Sequence, residues 1–437
     1  MKFINKHFTL TILFLFVVGV SLSQDALSLS ACIETALKNN YSVQISRNDS
    51  AIAANDNTFG NAGMLPTLDL SGELSTASVN TNQEYSNGNV VKQDGAGTDI
   101  YNAGVHFSWT LFDGMKMFAA HSRLMENEDA YGIRLKLQLE NTIAAVMENY
   151  FRAVSLLQEI KVMEDAITMF DERVRIAELR FQVGSGSKLD MLQSQTDRNA
   201  RKSLRLQLLI SYDQAVAELN RLMGKSEFIS WQLTDSISIT YKPVMEDLKK
   251  SVLNNNYELQ LGMKQESIYK NIVDETRSLR YPSLDLNADY NYTRTQNDVG
   301  FILLNQNQGF YTGLSLSWNI FDGRNTSREI QNAKLNLNST ALLLADTRSK
   351  IEQDLYVAYK TFQSELEILD LETENADVAT ENVTVALESF RLGSISGLEL
   401  KDAQNSYEGA QSRLLLAKFQ AKLSEIALMK LNGELVK

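Results

Sequence analysis

One cysteine, three prolines and three histidines are scattered through 437 residues, and beyond residue 20 no apolar run approaches the length of a membrane-crossing helix. A single cysteine excludes an intramolecular disulfide framework. So few prolines leave room for long uninterrupted elements, because proline breaks helices and central strands. Only His106 and His121 lie beyond His7, and neither stands in a zinc-ligand spacing. Basic charge is also short. The formal net charge is −12, and it becomes about −14 without the two lysines of the first 23 residues. That balance argues against a nucleic-acid partner, which needs clustered Lys and Arg against phosphates. Without apolar helices, any membrane insertion must use another element.

The chain opens like an exported protein. Lys2 and Lys6 precede the apolar run Phe8–Val20, and Ser21 and Ser23 offer small residues for cleavage, so residues 1–23 read as a signal peptide. Leu29-Ser30-Ala31-Cys32 has the outline of a lipoprotein cleavage box, but eleven residues, including Asp25, separate Val20 from Cys32. Cys32 therefore reads as a small buried residue of the first helix.

An internal duplication organises the rest. Leu37-Lys38-Asn39-Asn40-Tyr41 recurs as Leu253-Asn254-Asn255-Asn256-Tyr257, and Pro66-Thr67-Leu68-Asp69-Leu70 as Pro282-Ser283-Leu284-Asp285-Leu286, both offset by 216. Trp109-Thr110-Leu111-Phe112-Asp113-Gly114 recurs as Trp318-Asn319-Ile320-Phe321-Asp322-Gly323 at an offset of 209, which persists through Phe181/Phe390, Gly184/Gly393 and Leu222/Leu431. The copies span 24–230 and 231–437.

Each copy changes period in one order. Residues 28–63 read as a helix. From Pro66 the period is two, with Leu68, Leu70 and Leu74 alternating with Asp69, Ser71 and Glu73. Residues 78–99 are polar and rich in Gly and Asn, which predicts a loop. Alternation resumes from Tyr101 to Leu111, closing a hairpin over 65–112. A long helix follows over 114–183 and a shorter one over 188–223. The second copy predicts a helix over 244–280, a hairpin over 282–321, and helices over 323–391 and 397–432. Val146, Tyr150, Ala153, Leu157, Ile160, Ile167, Val174, Ala177 and Phe181 form a heptad-like stripe, matched by Leu355, Tyr359, Phe362, Leu366, Leu369, Ala376, Val383, Ala386 and Phe390.

Lengths then constrain the architecture. A helix of about 70 residues spans roughly 105 Å, which two of about 36 residues match end to end. Each chain thus supplies four rods. Strands of about ten residues cross a bilayer when tilted, and Tyr101, Trp109, Tyr290, Tyr292, Phe310 and Trp318 suit an aromatic girdle against outer-membrane lipid. Four strands cannot close, so the sheet must close through other chains. A soluble periplasmic adaptor with two decorative hairpins is the competing architecture, but it leaves the alternating faces unexplained.

These features together resemble the TolC-like outer membrane efflux proteins. The carriers are Leu27-Ser28-Leu29 with Ala36–Tyr41, the two proline strand starts, both Trp-x-x-Phe-Asp-Gly strand ends, and the helix turns Arg180–Gly184 with Leu189–Leu192 and Phe390–Gly393 with Leu398–Leu400. The resemblance implies an α+β membrane protein, a homotrimer with a twelve-strand β-barrel above a twelve-helix tunnel in the periplasm of a Gram-negative bacterium. It implies docking to a periplasmic adaptor (membrane fusion) protein and an inner-membrane transporter, through a tip containing Val183, Gly184, Ser185, Arg391, Leu392 and Gly393. Glu399, Asp402 and Asp190 fall where the family carries an acidic ring at the tunnel mouth. Such crowding raises some carboxylate pKa values and attracts cations. The family's polar latch is matched only at its acidic partner, Asp190, since Phe390 and Ile395 stand where it carries tyrosine and arginine, so the constriction is expected from packing around Phe181 and Phe390.

The implied function is a passive exit duct for small toxic molecules, or the same duct serving type I protein secretion. No enzyme activity and no cofactor or metal is expected. Gly184-Ser185-Gly186-Ser187-Lys188 lacks phosphate-loop spacing and follows a helix, the thirteen methionines form no ladder, and no nucleophile–base constellation is visible.

Overall fold

The computed structural model describes residues 26–225 and 231–436. The expected signal peptide at 1–23 lies outside the described residues. Two short strands, β1 (Ala26–Leu27) and β4 (Gln232–Leu233), pair in parallel. The first copy then runs α1 (Leu29–Asn39), α2 (Tyr41–Asp56), β2 (Thr67–Glu84), β3 (Val90–Phe112), α3 (Lys116–Gln182) and α4 (Lys188–Leu222). The second runs α5 (Met245–Asn255), α6 (Tyr257–Ser278), β5 (Ser283–Asn297), β6 (Leu304–Ser317), α7 (Asn325–Arg391) and α8 (Gly397–Leu431).

The rods lie side by side. α3 packs against α2 and α4 on one flank and against α6 and α8 on the other, while α7 packs against α6 and α8. The strands form one antiparallel sheet in the matching order β2-β3-β5-β6. At mid-length the rods share a core. Cys32, Val146, Tyr150, Phe151, Leu219, Met223, Trp231 and Ile426 cluster there, beside Leu248, Leu259, Leu355, Phe362 and Leu428. Cys32 is wholly buried, and that burial pushes its thiol up to about 12.

Three expectations need correction. The single helix over 28–63 is two helices that end at Asp56, and 244–280 is likewise divided. The break has a cause. Asn40 adopts an extended conformation, accepts from the Ser42 and Val43 amides through Oδ1, and donates through Nδ2 to the Leu222 carbonyl. Asn256 does the same with Leu259 and Leu431. One asparagine thus caps the upper rod piece and satisfies the exposed end of the lower piece. Next to each joint sits a left-handed glycine, Gly224 or Gly433, which lets the chain pass the neighbouring backbone.

The second correction concerns the loop expected over 78–99. The ladder continues through it, from Ala77↔Thr98 to Glu84↔Val90, with one bulge near Asn80 and a tight turn at 85–89. Third, the strands are 18, 23, 15 and 14 residues long, well beyond about ten. Their upper parts are polar on both faces, so they show no hydrophobic period although the backbone pairing persists.

Phe-Asp-Gly ends each hairpin for a local reason. Asp113 accepts from the Met117 amide at 2.9 Å and Asp322 from the Thr326 amide at 2.7 Å, so each caps its long helix. The following residues, Gly114–Met115 and Gly323–Arg324, are all left-handed.

Two predictions follow from this packing. A methyl at Gly433 would lie 2.4 Å from the Asn255 carbonyl oxygen, whereas one at Gly184 meets nothing within 4 Å. Both glycines have positive φ, so Gly433→Ala is expected to cost at least about 2 kcal/mol more than Gly184→Ala. Equal shifts of the thermal midpoint would refute this. Glu140, buried in α3 with Oε1 unpartnered, is pushed up to about 7, chiefly by burial and secondarily by Glu258, against an opposing pull from Lys430. Its folded value exceeds its unfolded one. Stability contributed by the protonated form is therefore present at low pH and lost as pH rises from about 4.5 through about 7. Glu140→Gln should flatten that slope and be the more stable protein above about pH 7 in thermal melts; identical slopes would count against it.

Candidate channel wall and periplasmic tip

Register decides what each sheet face carries. Leu68↔Phe107, Leu70↔Val105 and Leu74↔Tyr101 stand on one face, continued by Trp109↔Leu286, Val105↔Tyr290, Tyr290↔Phe310, Leu286↔Leu314 and Leu284↔Leu316. That face is apolar and solvent-exposed in the single chain, with Leu70 at 84% and Leu316 at 70%. All six aromatics expected in a girdle lie in or just below it. Tyr101, Tyr290, Tyr292 and Phe310 are at its upper side. Trp109 and Trp318 lie at its lower edge, their indole N–H groups donating to the Met64 and Arg280 carbonyls.

The opposite face is a ladder of polar side chains. Thr110 donates to Asp285 at 2.7 Å, Ser108 to Asn287 at 3.1 Å, and Asn102 to Glu73 at 3.1 Å. His106 joins this face, with Nε2 2.8 Å from the Ser71 hydroxyl and Nδ1 2.8 Å from the Asp289 carboxylate. The sequence pattern shows no such grouping because the three residues come from three strands. The row has the connectivity of a hydrolytic triad, yet the rungs above and below repeat the same cross-strand pattern without histidine. It is one rung of that polar ladder.

At the far end of the rods, two turns form the tip. Gly184 and Gly393 are left-handed, and Val183, Ser185, Arg391 and Leu392 are exposed beside them, Leu392 at 84%. Ser187 caps α4, and Ser396 caps α8 in a reciprocal box with Glu399. Asp190 and Asp402 are exposed, each in the first turns of its helix. The Glu399 carboxylate accepts from the Ser396 amide at 2.7 Å and from its hydroxyl at 2.8 Å, and these bonds hold its pKa below the usual carboxylate range. Within one chain this is opposite in direction to the rise expected from crowding. Phe181 is half-exposed, but Phe390 is buried against Ile176, Ala386, Leu400 and Ala403. The two copies of the same residue are not equivalent, and Phe390 packs inside the chain.

Charged contacts within and between the two copies tie the tip together, and no sequence pattern groups them. Arg180 lies 4.4 Å above the Phe390 ring and donates to the Phe390 carbonyl. Arg173, almost fully buried, donates to Asp197 at 3.1 Å, and Lys401 reaches the other Asp197 oxygen at 2.9 Å. Higher up, Arg201 bonds Glu408 and Asn405 and stacks over Phe170. One signal was available, since Arg173 lies four residues before stripe residue Ala177 and so faces the packing side.

A family model described as outer membrane efflux protein matches residues 32–225 and 248–434. The outer membrane efflux protein BepC of Brucella suis is 21% identical over 344 residues, covering 76% of this chain and 72% of BepC. The alkaline protease secretion protein AprF of Pseudomonas aeruginosa is 23% identical over 205 residues, covering 46% of this chain and 42% of AprF. Among solved structures, the Campylobacter jejuni CmeC outer membrane channel superposes with a TM-score of 0.78 at 16% identity, covering 93% of this chain and 85% of CmeC.

The tip network yields a measurable expectation. Asp197→Asn removes the charge that both Arg173 and Lys401 approach, leaving a buried guanidinium under-compensated. Such a change costs about 3 kcal/mol. The variant should melt earlier and be cleaved faster by protease at residues 183–187 or 392–396; unchanged melting and cleavage would show that the network carries no load.

Proposed function

The chain belongs to the outer membrane efflux protein family, a channel family of the Gram-negative outer membrane, and on that footing we propose that it is the exit duct of a three-part exporter. In this reading three copies close a twelve-strand barrel in the membrane and a twelve-rod tunnel below it. The tip docks to a periplasmic adaptor, and an inner-membrane pump supplies the energy. The duct performs no chemistry of its own.

The observation that carries this reading is the unfinished state of both ends of the chain's row. Among the described residues β2 and β6 each have one unpaired edge, which a bilayer does not tolerate. The helices tell the same story. α3 and α7 are both 67 residues long, yet α3 buries 21 residues and α7 only nine, because α7 lacks a neighbour on its outer flank. Two copies would give eight strands, whose interior only side chains fill. The polar ladder of Asp285, Asp289, Glu73 and His106 needs water, and twelve strands supply a bore for it.

Small toxic molecules are the cargo we favour, since the family model and BepC are both described by efflux. A second reading, protein secretion, draws on AprF's. Deleting the gene and measuring which is lost from the medium, drug export or a secreted protein, separates the two.

Glu399, Asp402 and Asp190 are assigned to the tunnel mouth, with Phe181 beside them and Phe390 holding the turn from behind. Ionised carboxylates near the axis would favour cations. In planar bilayers the wild-type trimer should be cation-selective and blocked by multivalent cations. Glu399→Ala/Asp402→Ala should lose both properties by roughly tenfold in blocking concentration, an order-of-magnitude expectation for removing clustered charge. Unchanged selectivity and block would reject the assignment.

A further inference from the structure

The duplication allows the missing contact between copies to be read from one already present. Within the chain, the second strand of the first copy (β3) meets the first strand of the second copy (β5), and Trp109↔Leu286, Phe107↔Ala288, Val105↔Tyr290 and Thr98↔Asn297 are opposite. The contact needed to close the barrel is of the same kind: the second strand of the second copy (β6) against the first strand of a first copy (β2) in another chain. The repeat offsets of 209 and 216 translate each residue to its counterpart.

We infer that the interchain seam adopts this translated register, with β6 residues Trp318, Leu316, Leu314 and Asn307 opposite Leu70, Gly72, Leu74 and Thr81 of the neighbouring copy. The inference rests on the closed-barrel reading and adds to it a residue-level seam.

Three observations support it. The translation keeps faces together. Leu316, Leu314 and Trp318 join an apolar face, while Ser315 and Ser317 come opposite Glu73 and Ser71 on the polar one. A register slipped by one residue would set every side chain of one face against the wrong environment. Second, counterparts differ in exposure as a missing neighbour requires. Leu111 and Phe112 are 40% and 38% exposed, and their counterparts Ile320 and Phe321 are 83% and 80%. Third, Gly114 is pressed against Tyr281 and the Ser278 carbonyl, where a methyl would lie 2.6 Å from the oxygen, whereas its counterpart Gly323, with φ +69°, has nothing within 4 Å. Gly323 keeps the shape of a packed position with nothing among the described residues packed on it. The translated occupants are Ala62 and Leu65 of the next copy.

The seam also changes chemistry on translation. Lys264, bound to Glu126 and Asp129 between α6 and α3, corresponds to Asn48 facing Leu335 and Asn338. Arg123 with Glu275 corresponds to Asn332 with Phe59. Three ion pairs that join the copies inside one chain thus become amide and apolar contacts between chains.

Cysteine pairs on the water-filled face test the register, because Cys32 is the sole native thiol and is buried. Full-length Glu73→Cys/Ser315→Cys, purified from membranes in detergent and oxidised with copper phenanthroline, should give covalent dimers and trimers on non-reducing gels. Asp69→Cys/Ser315→Cys displaces one thiol by four residues, about 13 Å along the strand, and should give almost none. A lipid-face pair, Leu74→Cys/Leu314→Cys, should repeat the positive result if the first pair fails to fold. Stronger cross-linking of the displaced pair overturns the register. So does a wild-type trimer, verified by native mass spectrometry, in which neither matched pair cross-links. A wild-type chain that is monomeric overturns the closed-barrel reading first and the seam with it.

Discussion

A strand inside a bilayer must pair every backbone amide and carbonyl, because no water is there to satisfy them. Most of this molecule follows from that requirement. Four strands per chain leave two edges, so the chain is one part of a ring. The rods beneath inherit the order of the strands above, since each long helix leaves the sheet through a Phe-Asp-Gly turn whose aspartate caps it. A row of four strands therefore stands on a row of four rods, and the row ends at the same place in both layers.

The duplication makes such a ring economical to specify. Two like units in one chain, with like contacts between three chains as proposed above, would place six similar seams around one axis. Similar is not identical, and the differences are informative. α3 has a neighbour on each flank and α7 has one, so α3 buries residues on a second face while the heptad stripe itself is largely enclosed in both copies. Phe181 and Phe390 occupy the same register yet only Phe390 is enclosed, because Arg180 of the first copy covers its ring.

Much of this was legible in the residues. The alternation at Leu68, Leu70 and Leu74 and its copy at Leu284 and Leu286 identified strands, and the Trp-x-x-Phe-Asp-Gly pair located the strand-to-helix corners. The upper halves of the hairpins were not legible, because strands wet on both faces carry no hydrophobic period. Asn40 looked like part of a helix, since its role is a bond to a carbonyl 182 residues away. The tip network was hidden for a similar reason. Arg173, Asp197 and Lys401 are ordinary charges on ordinary helices until the fold sets them on one seam. The acidic residues of the tip could be named from resemblance, but the grip of Ser396 on the Glu399 carboxylate belongs to the local turn.

The asparagine joints have a mechanical consequence. A continuous helix carries torsion from one end to the other, whereas at each joint the stacked halves are separate helices linked through one asparagine amide, Asn40 to the Leu222 carbonyl or Asn256 to the Leu431 carbonyl. Each copy contains one rod of each kind. By this geometry a twist applied at the tip would travel up the unbroken α3 and α7 and be relieved at the tops of α4 and α8, where the joints lie. If the tip docks as proposed, α4 and α8 are the half of the wall free to follow a partner's pull, with α2 and α6 held between the joints and the sheet. The tube has a stiff collar and a compliant sleeve, built from one repeated unit.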